Sequence, residues 1–154
     1  MPRKVNLFKG DVPLEDEQYR RPGYAQRSRA VDDEIGGDLI GAALWELEEG
    51  ERVCPYHYHH GVEEWLLVVD GAPVLRQPDG EQVLRPGDVV CFPSGETGAH
   101  ALRGPGRFLL LSVAQPNSVC VYPDSDKVGT RPAGGDDRLD FRRADAVGYW
   151  DGER

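Results

Sequence analysis

Between Tyr24 and Tyr122 the hydrophobic positions come in short stretches, and none sustains a 3.6-residue period over three turns. The stretches are Asp38–Leu47, Arg52–His59, Glu63–Asp70, Ala72–Gln77, Gln82–Leu84, Asp88–Phe92, Thr97–Arg103, Arg107–Ala114 and Ser118–Tyr122. Turn residues separate them: Glu49-Gly50, Asp70-Gly71, Pro78-Asp79-Gly80, Pro86-Gly87-Asp88 and Gly104-Pro105-Gly106. Short strands punctuated in this way predict an all-β barrel or sandwich over residues 24–122. Its expected apolar core draws on Leu39, Leu44, Leu47, Leu66, Val68, Val83, Val89, Phe92, Phe108, Leu110 and Val113.

The flanks read differently. Residues 1–23 form an N-terminal arm, with one short helix expected from Pro13 through LEDEQYRR and stopped at Pro22-Gly23. Residues 123–154 form a C-terminal loop and tail. Within them, 123–138 read as a polar, mobile loop, and the aromatic remainder as a tail that docks back on the barrel.

Composition narrows the classes. At 154 residues the chain is one domain, with 39% hydrophobic residues. The longest apolar run is Trp65–Val69, too short to span a bilayer, and MPRKVNLFKG has no apolar stretch of a secretory signal. Asp and Glu number 27 against 18 Lys and Arg, a net charge of −9, which disfavours nucleic acid and anionic membranes as partners. Three widely spaced cysteines, Cys54, Cys91 and Cys120, make no disulfide framework and suit a reducing compartment. The expectation is a soluble cytoplasmic protein whose partner is a small molecule.

Three of the four histidines are His57, His59 and His60; the fourth is His100. On a strand, His57 and His59 face one way while His60 starts to turn away. In the following strand Glu64, Leu66 and Val68 share one face, and Glu63, Trp65 and Leu67 the other. Two imidazoles and a carboxylate on an adjacent strand can meet within roughly 2.0–2.2 Å of one first-row metal ion. Glu63 competes with Glu64 for the carboxylate place, and parity counted back from Gly71 favours Glu64. Tyr56, Tyr58, Trp65 and Leu67 are expected to face away, against a second sheet or a second subunit. Cys54 and Cys91 read as small hydrophobes rather than nucleophiles.

These residues resemble the cupin family. The first cupin motif, G-x5-H-x-H-x(3,4)-E-x6-G, is matched by Gly50-ERVCPY-His57-Y-His59-HGVE-Glu64-WLLVVD-Gly71, with one extra residue after the first Gly. The second, G-x5-P-x-G-x2-H-x3-N, is matched by Gly87-DVVCF-Pro93-S-Gly95-ETGA-His100-ALR-Gly104. Here the His comes two residues late and Gly104 stands in place of Asn. Fifteen residues separate Gly71 from Gly87, the short spacing of microbial single-domain members. The resemblance implies a cupin double-stranded β-helix, a small jelly-roll-like barrel. It also implies a divalent metal ion such as Mn, Fe, Ni or Zn, held by His57, His59, Glu64 and His100.

Function is less determined than fold. The expected activity is that of a metal-dependent dioxygenase, isomerase or lyase type. Its ligand would be a small oxygenated molecule, a carboxylic acid or sugar derivative, that chelates the metal. Arg76, Arg85 or Arg103 is available to hold an anionic group. The alternative is a non-catalytic, metal-stabilised module that binds or senses a small ligand. A weaker third reading is an accessory subunit acting through its outer aromatics and Tyr149-Trp150. Outward apolar side chains on so small a barrel also predict a homodimer.

Overall fold

The computed structural model describes residues 3–14, 21–114 and 117–153. In chain order the elements are β1 (Gln26–Ala30), α1 (Val31–Ile35), β2 (Ile40–Leu47), β3 (Tyr58–His60), β4 (Glu64–Gly71), β5 (Val74–Gln77) and β6 (Gly80–Val83). They continue with β7 (Val89–Phe92), β8 (Ala101–Arg103), β9 (Gly106–Val113), β10 (Ser118–Tyr122), β11 (Lys127–Arg131) and β12 (Asp140–Arg142). All the strand pairings are antiparallel. Three sheets result, with orders β1-β2-β9-β4-β7, β12-β11-β10-β3 and β6-β5-β8. This antiparallel architecture agrees with the small jelly-roll-like barrel expected from the sequence.

The five-stranded sheet has two apolar faces. Its inner face carries Leu47, Leu66, Val68, Phe92 and Phe108, which pack with Leu75 and Leu102 of the three-stranded sheet and with Leu84, just after β6, into the main core. Strand alternation sends Ala42, Leu44, Val69 and Leu109 to the outer face, where Val12 of the arm and Val31 of α1 cover them. Helix α1 is a single turn. Asp32, Asp33 and Glu34 complement the positive end of its dipole, and Gly36 ends it in the left-handed region with its N–H bonded to the Asp32 carbonyl.

Several expectations need correction. The segment 123–138 is not one loop: Lys127–Arg131 is a strand paired along its length with β10, and Asp140–Arg142 adds β12 beside it. Leu39, Val83, Val89 and Val113 are exposed rather than core. Val89 and Val113 occupy outward positions of the five-stranded sheet, Val83 lies on the edge strand β6, and Leu39 precedes β2. Tyr58 is buried within its own chain, against Ala99 and Val121, so it adds nothing to the outer surface. Trp65 is exposed as expected, and Leu67 is half-buried. The helix expected after Pro13 falls mostly outside the described residues.

Candidate metal centre

Two backbone features bring the histidines together. His57 and His100 form a narrow antiparallel bridge, each donating its N–H to the other's carbonyl, at 3.1 and 2.8 Å. The end of β3 is anchored to the loop after β7: Gly95 donates to the His59 carbonyl at 2.7 Å, and Ser94 Oγ donates to the same oxygen at 3.3 Å. The extra residues in the second motif form a one-turn 3₁₀ helix, Glu96–Gly98, which leads into His100. Gly98 packs so tightly there that a Cβ would sit 1.9 Å from the Pro93 carbonyl oxygen. Gly104 is equally constrained, since a Cβ would lie 2.1 Å from the Glu48 carbonyl oxygen; the Asn of the family motif has no room at this position.

All four expected side chains converge. His57 Nε2 lies 3.1 Å from His59 Nε2, and Glu64 Oε2 lies 3.6 Å from both His59 Nε2 and His100 Nε2. Donors bound to one ion at about 2.1 Å are separated by roughly 3.0–3.4 Å along the edges of an octahedron or tetrahedron, close to these spacings. Glu63 is exposed and accepts a hydrogen bond from Trp65 Nε1 at 2.7 Å, away from the cluster. His60 is exposed at the end of β3, edge-on to Tyr58.

The hydrogen bonds behind the rings set their tautomers. His57 Nδ1 sits 3.0 Å from the Pro55 carbonyl and His100 Nδ1 2.9 Å from the Gly98 carbonyl, so each Nδ1 carries the proton and each Nε2 presents a lone pair inward. His59 departs from this pattern: its Nδ1 is buried with no partner. Buried nitrogens that face one another with no bridging group are costly, and a cation resolves the conflict. The donor set therefore fits a metal ion.

Electrostatics agree. Burial lowers all three imidazoles, and together with the neighbouring His57 ring it brings His59 to about 4 and His100 to about 3. Burial pushes the Glu64 carboxyl up to about 7. Near pH 6 the cluster is thus a neutral acid among neutral imidazoles, not a set of ion pairs. A dication reverses this preference by favouring the carboxylate and the free lone pairs.

Residues that sequence reasoning passed over also meet here. Cys120 stands directly across from His59 in the β3–β10 pairing, and the Tyr122 ring lies over His57 at 6.0 Å between centroids. Arg131 donates to the Tyr122 hydroxyl at 2.8 Å and to Asp140 at 2.7 Å. Alternation along β10 puts Ser118, Cys120 and Tyr122 on one face, a signal present in the sequence. Ser118, Cys120, Tyr122 and Arg131 line, with His57 and His59, a cavity of ≈ 360 Å³. Arg76, Arg85 and Arg103 lie elsewhere. Arg76 pairs with Asp124 at 2.6 Å over the Tyr56 ring, Arg103 with Glu81 at 3.3 Å, and Arg85 is exposed in the turn before β7.

Residues 43–114, which contain all four converging side chains, match the model of the cupin domain family. No protein of curated function matches the sequence significantly. Among solved structures, a sugar phosphate isomerase of the cupin superfamily from Silicibacter pomeroyi is similar, with TM-score 0.71 and 28% identity over 82% of each chain. A candidate sugar phosphate isomerase from Acidithiobacillus ferrooxidans has TM-score 0.78 and 24% identity over 92% of this chain and 91% of its own, a likeness of fold. The polyketide cyclase RemF from Streptomyces resistomycificus has TM-score 0.58 and 25% identity, covering 75% of this chain and 82% of its own. Domain match, paired motifs and antiparallel architecture agree: residues 43–114 of this chain form a cupin domain.

Proposed function

We propose that this protein is a metal-dependent cupin enzyme acting on a small oxygenated molecule, a carboxylic acid or sugar derivative, with His57, His59, Glu64 and His100 as the metal ligands. The observation that carries this reading is the approach of His57, His59, Glu64 and His100 to one another, with His57 and His59 lining a cavity. The likeness to a sugar phosphate isomerase supports the sugar arm of the substrate class. Bound there, a divalent ion would supply Lewis-acid polarisation of a ligand oxygen.

The chain's own residues supply the rest. Pro55 and Gly98 carbonyls hold two imidazoles with Nε2 inward. The Tyr122 hydroxyl accepts from Arg131 and also bonds Cys120, and burial keeps that phenol protonated. Arg131 places positive charge at the cavity wall, where it meets an anionic group of the ligand.

We further propose a homodimer in the cytoplasm, formed through the outer face of the five-stranded sheet. Ile40, Trp65, Val89 and Val113 are exposed on that face beyond the part covered by the arm. Among the described residues, no helix is long and apolar enough to cross a membrane.

The deciding experiment is elemental analysis of protein purified without added metal, followed by a thermal-shift screen of small acids, sugars and sugar phosphates and turnover assays of the hits. Near-stoichiometric metal and a hit that is converted support the enzyme. Binding without turnover favours the sensing module, and a metal-free protein after reconstitution overturns both.

A further inference from the structure

Two donor sets overlap at His57. One is His57, Glu64 and His100; the other is His57, His59 and Cys120, and within each set the ligand atoms all lie within 4.8 Å of one another. Neither cupin motif reaches Cys120, which comes from β10. Its place is fixed by pairing: Cys120 faces His59 across the β3–β10 ladder, and the next pair is Val121 with Tyr58. Cys120 is buried, and its sulfur belongs to the cavity wall beside the histidines.

We propose that Cys120 is a further ligand of the metal, so that the centre is a His/Glu site with one thiolate donor. This rests on the proposed metal reading of His57, His59, Glu64 and His100. Coordination would ionise the thiol, its proton passing to solvent, and the new bond is between sulfur and metal with no change of oxidation state. A thiolate biases selection toward zinc, cobalt and copper and away from manganese and magnesium, which prefer oxygen donors.

The other two cysteines provide the contrast. Cys54 Sγ lies 3.4 Å from His57 Nδ1, the nitrogen that bonds the Pro55 carbonyl, which puts it behind the ring. Cys91 is exposed, pairing across from Trp65 in the β4–β7 ladder. Neither belongs to a donor set with the histidines.

Absorption spectroscopy of the full chain loaded with Co(II) alone tests the assignment. The wild type and Cys54→Ser should show a sulfur-to-cobalt charge-transfer band in the near ultraviolet together with visible d–d bands. Cys120→Ser and Cys120→Ala should lose the charge-transfer band and keep the d–d bands. Competition should also show the preference for Zn(II) over Mn(II) shrinking in both Cys120 variants. Visible bands without charge transfer in the wild type overturn the Cys120 assignment while leaving the four-ligand reading in place, and this readout needs no variant to fold. A charge-transfer band that survives in Cys120→Ser overturns it too. Failure of cobalt to bind the wild type overturns the four-ligand reading and this inference together.

Discussion

The Phe92 ring lies flat against the His100 imidazole, with centroids 3.7 Å apart and planes 9° from parallel. Phe92 belongs to the main core, so the best-packed part of the barrel also orients one of the site's donors. The stacking, with the bond from His100 Nδ1 to Gly98, fixes the ring plane on one side and its tautomer on the other. Phe92→Leu should cost about 1 kcal/mol of stability, and Phe92→Ala about 3–5 kcal/mol. Both should weaken metal binding without touching a donor atom. Denaturant melts and metal titrations of the two variants check this. Unchanged affinity in the destabilised Phe92→Ala would mean that the stacking serves packing alone.

Glu64 and Glu63 are neighbours in sequence and opposites in setting. Glu64→Gln should lower metal content far more than Glu63→Gln, because only Oε2 of Glu64 reaches the imidazoles. If Glu63→Gln were the more damaging change, the faces of β4 would have to be exchanged.

Metal loading at pH 6 should release protons. With its carboxyl held near 7, Glu64 is mostly protonated there and must ionise to bind a cation, whereas the imidazoles are already neutral. Calorimetric titration in buffers of different ionisation enthalpy measures the count, and Glu64→Gln should reduce it by close to one.

Metal-free protein should lose stability as pH falls below about 6.5. A histidine whose folded value is depressed takes up its proton in the unfolded chain first, so acid favours unfolding from the ordinary value down to about 3–4. Glu64 opposes this between its ordinary 4.5 and about 7, because its raised value makes the folded state the better proton binder there. Three imidazoles outweigh one carboxyl. The melting temperature of metal-free protein should therefore drop by several degrees from pH 7 to pH 5, at roughly 2–4 °C per kcal/mol. His100→Gln should flatten the dependence, and bound metal should raise the melting temperature at pH 7.

The outer sheet face makes its own claim. Trp65→Glu adds charge where a second copy would pack, so it should convert a dimer to a monomer while leaving metal content unchanged. Light scattering on the wild type and the variant reads both. A monomeric wild type at micromolar concentration would remove the homodimer.

Most of the barrel was legible because its strands alternate and Gly, Pro and Asp mark their ends. Core membership was harder. Val83 and Val89 alternate as well as Val68 does, but one sits on an edge and the other on an uncovered face, and neither fact is local. Strand β11 was missed because KVGTR has no apolar alternation; its order comes from pairing with β10. Convergence of His57, His59, Glu64 and His100 followed from parity and the two motifs. Cys120, Tyr122 and Arg131 did not, because their approach depends on a sheet register some sixty residues away from the first motif.

The bridge between His57 and His100 bears on which changes of chain length the fold can absorb. The two residues hold each other by backbone hydrogen bonds, so the spacing between Gly95 and His100 is free to vary as long as the intervening turn closes. This chain carries two residues more than the motif there and still delivers His100 to its partner. Insertions and deletions at residues 96–97 can therefore be absorbed as long as the turn still returns a carbonyl to His100 Nδ1, as Gly98 does here. A single-residue change between His57 and His59 would instead turn one imidazole to the other face of the strand, so length variation should fall in the turns rather than there.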